Sequence, residues 1–196
     1  MNQYIKGAML QLTLISAFLV FVSCENEENQ KGSKVIAEER NDRKFDTSEE
    51  NQKNAQFLVN AAEINLKEIQ LGQLAQQNGQ TLHVKELGKM MEEAHAKSQK
   101  DLMALAKSKT ITIPSTPTED SKETYLKLND KSGNDFDKVY IDKMVSSHKD
   151  AIDLFEKKSQ DINDSEIKTW AKVTLKELRK HLDQSIEYQE KYKNNN

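Results

Sequence analysis

Three of the four histidines in this 196-residue chain fall on apolar stripes, each in a different helical stretch. His95 stands four residues after Met91 and eight after Leu87. His148 stands four after Met144 and four before Ile152, and His181 stands three after Leu178 and beside Leu182. A polar ring on such a stripe must find a partner, because burying an unpaired polar group costs roughly 2–7 kcal/mol. One metal ion can serve several imidazoles at once. Glu63 offers a carboxylate at a matching height, which makes Glu63, His95, His148 and His181 the candidate ligand set. Met91, Met144 and Glu92 are accessory candidates. Each methionine puts a thioether one turn from a histidine, an arrangement that suits a cuprous ion. A di-iron centre instead needs carboxylates from all four helices of a bundle. Here Leu178 stands where the last helix would need one, and the third helix offers His148. Zinc or copper therefore fits better than iron. The competing reading is packing, with imidazoles hydrogen-bonded to a neighbouring helix and methionines filling gaps in the core.

The elements that must position these residues follow from periodicity. Apolar residues at helical spacing predict four long helices, over about 54–78, 81–108, 135–159 and 165–190. Gly79 ends the first, Asn134 is the expected cap of the third, and Asp164 caps the fourth. His83 opens the second helix and is expected to face solvent. Both prolines, Pro114 and Pro117, lie in the connector between the second and third helices, which must be extended there. A short helix near 121–128 and a break at Gly133 follow. Ten extended residues span roughly 33 Å and a short helix adds about 12 Å, so this connector can run the whole length of a bundle. The fold class is all-α: two long helical hairpins joined by a long connector, with one long crossover giving the ferritin-like arrangement and short loops throughout the simple up-down-up-down one. Counting from the turns puts Glu63 and His95 level to within roughly 2 Å, and staggers His148 and His181 by about 8 Å. Side chains lean toward their helix N-terminus, which narrows that gap and brings all four groups near mid-bundle.

The N-terminal segment, 1–23, reads as a signal peptide: Lys6, then an apolar run from Ala8 to Val22. That run spans roughly 22 Å, short of the ~30 Å hydrocarbon core. It ends in Phe21-Val22-Ser23-Cys24, which resembles a lipobox, although Phe21 replaces the usual leucine. Cys24, the only cysteine, is thus the expected lipidation site, and no intrachain disulfide can form. Loss of Lys6 with the leader takes the formal charge from -3 to -4, which argues against nucleic acid as a partner. Residues 24–53 are polar and read as a flexible tether to a membrane. Glu25, Glu27 and Glu28 resemble the stretch that sends some lipoproteins to the cell surface. The bundle domain is expected over 54–192, in the cell envelope, at the outer membrane on its periplasmic side or at the cell surface.

Several segments together carry a family resemblance. They are Ala55-Gln56-Phe57-Leu58, Ala61-Ala62-Glu63, Glu68-Ile69-Gln70-Leu71-Gly72 and Lys89-Met90-Met91 with His95. Asp135-Phe136-Asp137 with Met144-Val145 and His148, and Leu178 with His181-Leu182, complete the set. Over about 53–188 the chain resembles the ferritin-like domain of unknown function 4142, a family of bacterial outer-membrane and periplasmic proteins. Relatives often carry Asp just before the second helix's histidine, where this chain has Ala94. The resemblance implies the fold and no activity. No phosphate-binding glycine loop, nucleophile elbow or H-E-x-x-H occurs, so an enzyme is not the expectation. The preferred reading is a lipid-anchored binding or structural module, and the alternative is a small protein that handles zinc or copper.

Overall fold

A computed structural model of the chain describes residues 32–195. The leader, Cys24 and the acidic residues after it lie outside the described residues. Six helices follow one another: α1 (Ser33–Lys44), α2 (Glu49–Asn78), α3 (Leu82–Ser108), α4 (Glu119–Asn129), α5 (Gly133–Lys158) and α6 (Ser165–Asn195). The long helices α2, α3, α5 and α6 are the four expected from periodicity, and α4 is the expected short one. No described helix is long and apolar enough to cross a membrane.

Local chemistry sets the boundaries. The hydroxyls of Ser48, Thr81 and Thr118 accept from backbone N–H groups in the first turns of α2, α3 and α4. Asp164 Oδ1 accepts from the N–H groups of Glu166 and Ile167 at 3.0 Å each, the cap expected for α6. The expected Asn134 cap is corrected: α5 starts two residues earlier, after Ser132, without a side-chain cap. Gly133, with φ +58, makes the sharp approach that other residues resist.

One buried carboxylate decides the topology. Asp137, near the start of α5, is fully buried and accepts from the N–H of Gln80, the N–H of Thr81 and the Thr81 hydroxyl, at 2.7–2.8 Å. The start of α5 is therefore pinned to the α2–α3 turn. At the other end, Lys109 just past α3 pairs with Asp164 and Glu166 at the start of α6. The connector thus runs the bundle's length and α5 lies parallel to α3, the ferritin-like crossover. Helices α2 and α3 pack closely enough that a Cβ on Gly72 would stand 2.5 Å from the Gly88 carbonyl.

The region expected to be a tether, 24–53, is corrected in its second half: α1 and the first turn of α2 occupy it. Its order comes from polar contacts with distant residues. Asn41 is buried and brackets Thr112, accepting from its N–H at 2.8 Å and donating to its carbonyl at 2.7 Å. Ser33 and Lys44 donate to the carbonyls of Thr116 and Thr110. Helix α1 thus satisfies the extended connector's backbone, which has no ladder partner of its own.

The core is split in two. One apolar cluster joins Phe57, Leu58, Leu102, Phe155 and Ile167, and a second joins Leu71, Leu87, Met91, Phe136, Tyr140 and Met144. Along each long helix a buried polar stretch separates them: Asn65 and Glu68 on α2, His95 and Gln99 on α3, His148 on α5, His181 and Ser185 on α6.

Candidate metal centre

Each of three helices sends one imidazole into this polar layer. His95, His148 and His181 are all buried, and their ring centroids form a near-equilateral triangle with sides of 5.6, 5.3 and 5.4 Å. One ring nitrogen from each lies within 4.8 Å of the other two, the only such grouping of metal-ligating side chains among the described residues. The shortest approach is His95 Nε2 to His148 Nε2, at 3.4 Å.

The surroundings determine which nitrogens carry protons. His148 Nδ1 lies 2.8 Å from the Met144 carbonyl, which can only accept, so Nδ1 is the protonated nitrogen. Asn65 Nδ2 donates to Ser98 Oγ and Gln99 Oε1, turning Asn65 Oδ1 to His95 Nδ1 at 3.0 Å. That network assigns the His95 proton to Nδ1 as well. In the neutral rings both Nε2 atoms are therefore acceptors, and they face each other across 3.4 Å without a proton between them. His181 Nδ1 is buried with no hydrogen-bond partner.

Protonation is a poor remedy. Burial first, then the neighbouring His148 and His181, push the His95 pKa well below its ordinary value. Burial, His148 and Lys180 push His181 down to about 4. A metal cation could instead accept these lone pairs, and the donors facing it would be neutral imidazole nitrogens.

The expected carboxylate is not among them. Glu63 accepts from Lys34 Nζ at 2.6 Å and from the Thr118 hydroxyl at 2.8 Å, under α1 and the connector. The reason is geometric: two residues separate it from Asn65, about 200° around α2, so with Asn65 at the histidines Glu63 must face away. Glu92 turns to Gln73 and Gln76, whose hydrogen bonds hold its pKa below the ordinary value. Met91 and Met144 are fully buried members of the second apolar cluster, where they fill the core.

The site contains residues that sequence reasoning did not assign to it. Asn65 orients His95, and its signal was available as an amide on an apolar stripe. Glu68 is almost wholly buried; Oε1 accepts from Ser147, the neighbour of His148, at 2.7 Å, while Oε2 has no partner. The Tyr140 hydroxyl is likewise buried and unpartnered, its pKa raised by burial and then by the Glu68 charge.

A groove of about 230 Å³ between α3 and α6 reaches this layer, lined by Ser98, Trp170, Val173 and Thr174 and, at the layer itself, by His95 and His181.

The family model for domain of unknown function DUF4142 matches residues 41–187, and the chain belongs to that family. No curated protein and no solved structure matches it.

Proposed function

We propose that this member of the family is a metal-binding module, in which His95, His148 and His181 hold a zinc or copper ion at mid-bundle. The observation that carries the reading is the pair of unprotonated Nε2 atoms 3.4 Å apart. Two nitrogens bound tetrahedrally at 2.0–2.1 Å stand about 3.3–3.4 Å apart, so this pair is spaced as one edge of a zinc site. The outer hydrogen bonds support it further, since metal-bound imidazoles commonly give their other N–H to a carbonyl or amide oxygen. An all-nitrogen donor set suits zinc or copper and not a carboxylate-bridged iron pair.

The proposal extends to location. With Cys24 lipidated after removal of 1–23, the chain would be held at a membrane of the cell envelope, with no nucleic acid among its partners. Carbon from fatty acid should then be found on the wild-type chain and not on Cys24→Ala, and the variant should leave the membrane fraction. A variant still firmly in that fraction would sink the anchoring proposal.

Metal binding is tested by titrating the purified protein with zinc and with cuprous ion, beside His95→Ala and His148→Ala. Tight binding of one ion per chain, weakened by more than about 100-fold in the variants, is expected, since loss of an outer-shell partner alone costs about 10–100-fold. Equal affinities would return the three histidines to a packing role and the protein to a structural or interaction module.

A further inference from the structure

We infer that the ion held by the three histidines keeps one coordination position free of protein donors, and that this position opens into the α3–α6 groove and takes a small exchangeable anion, or water in its absence. The inference rests on the metal reading of the trio. A tetrahedral ion takes four donors, and closed structural sites supply all four from protein, whereas sites that act on a ligand leave one open. Here the described residues supply three. Glu63 and Glu92 are engaged elsewhere, and Glu68, whose Oε1 accepts from Ser147 and whose Oε2 has no partner, stands outside the ligand grouping.

The groove shows where the fourth position leads. His95 and His181 are ligands and wall residues at once, so the space begins at the imidazoles themselves. At about 230 Å³ it exceeds the ~30 Å³ share of one water several times over. Its walls are apolar at Trp170 and Leu178 with a hydroxyl at Thr174, while Val173 and the charged Lys97, Asp101 and Glu177 line it at exposed positions. Apolar walls lower the local polarity and strengthen the attraction between a bound cation and an incoming anion.

The test uses cobalt(II) in place of zinc, because its visible spectrum reports the ligand shell, with azide as the anion. Titrating azide into the cobalt-loaded protein should shift the spectrum saturably. Val173→Trp, a change at an exposed position, should leave cobalt binding intact. It should weaken azide by about tenfold or more by filling the groove. A cobalt-loaded protein whose spectrum ignores azide has a closed site, which overturns the inference and leaves the trio as a metal site. Equal azide affinities in Val173→Trp and wild type would overturn the groove as the route. Failure to bind cobalt at all defeats the metal reading, and the inference with it.

Discussion

Helix α2 contributes to two polar clusters, one half-buried and one buried. On one face Glu63 receives Lys34 and Thr118, and Thr118 in turn contacts the Ser121 hydroxyl at 3.1 Å. Every group there is answered by another from the protein. On the opposite face Asn65 receives His95, which meets His148 acceptor to acceptor, while His181 Nδ1 has no partner. The Glu63–Lys34 pair is half-buried and the histidines are buried, and the two also differ in whether the hydrogen bonding is complete. A completed cluster holds the connector and α1 onto the bundle. An incomplete one made of metal-ligating atoms is what the proposed ion would complete.

That contrast can be broken from either side. The largest effect expected from a residue outside the trio is at Asn65, whose amide fixes the His95 tautomer: Asn65→Ala should weaken zinc by about 10–100-fold. Glu63→Gln should leave zinc affinity unchanged, and a loss there comparable to Asn65→Ala would erase the distinction between the two faces.

Acid should also separate the two. An unfolded histidine takes its proton near pH 6.5, the folded His181 only near 4, and His95 is lowered too. Between those values the unfolded chain binds more protons, so the metal-free fold should lose about 1.4 kcal/mol per pH unit for each such histidine as pH falls. Denaturant unfolding from pH 7 to 4.5 measures this, and His181→Gln should flatten the slope. Zinc affinity should weaken as pH falls, because each imidazole must be neutral to coordinate, and an affinity unchanged down to pH 4 would contradict imidazole ligation.

The smallest effect belongs to the completed cluster. Glu63→Ala strands Thr118 and Lys34 and should cost about 1–2 kcal/mol of stability in denaturant unfolding. No measurable change would show that the contacts under α1 hold nothing in place.

Much of this was legible in the sequence, for a physical reason. The helices follow from periodicity, connector length allows the crossover without requiring it, and imidazoles on apolar stripes must converge wherever the stripes meet. Glu63 was misassigned because matching height along an axis says nothing about azimuth, and two residues of offset reverse a helix face. Helix α1 was unreadable because its order depends on connector carbonyls some 70 residues away, which no local pattern encodes. Asn65 goes unassigned from sequence because a single amide among apolar residues gives no sign of which neighbour it orients.

The central claim, that the trio is an unfinished coordination shell, is met most directly by X-ray absorption at the metal edge of the zinc-loaded protein. The account predicts three imidazole nitrogens at about 2.0–2.1 Å with one non-protein donor, falling to two imidazoles in His148→Ala. A shell of oxygens, or an imidazole count that His148→Ala leaves unchanged, would contradict it.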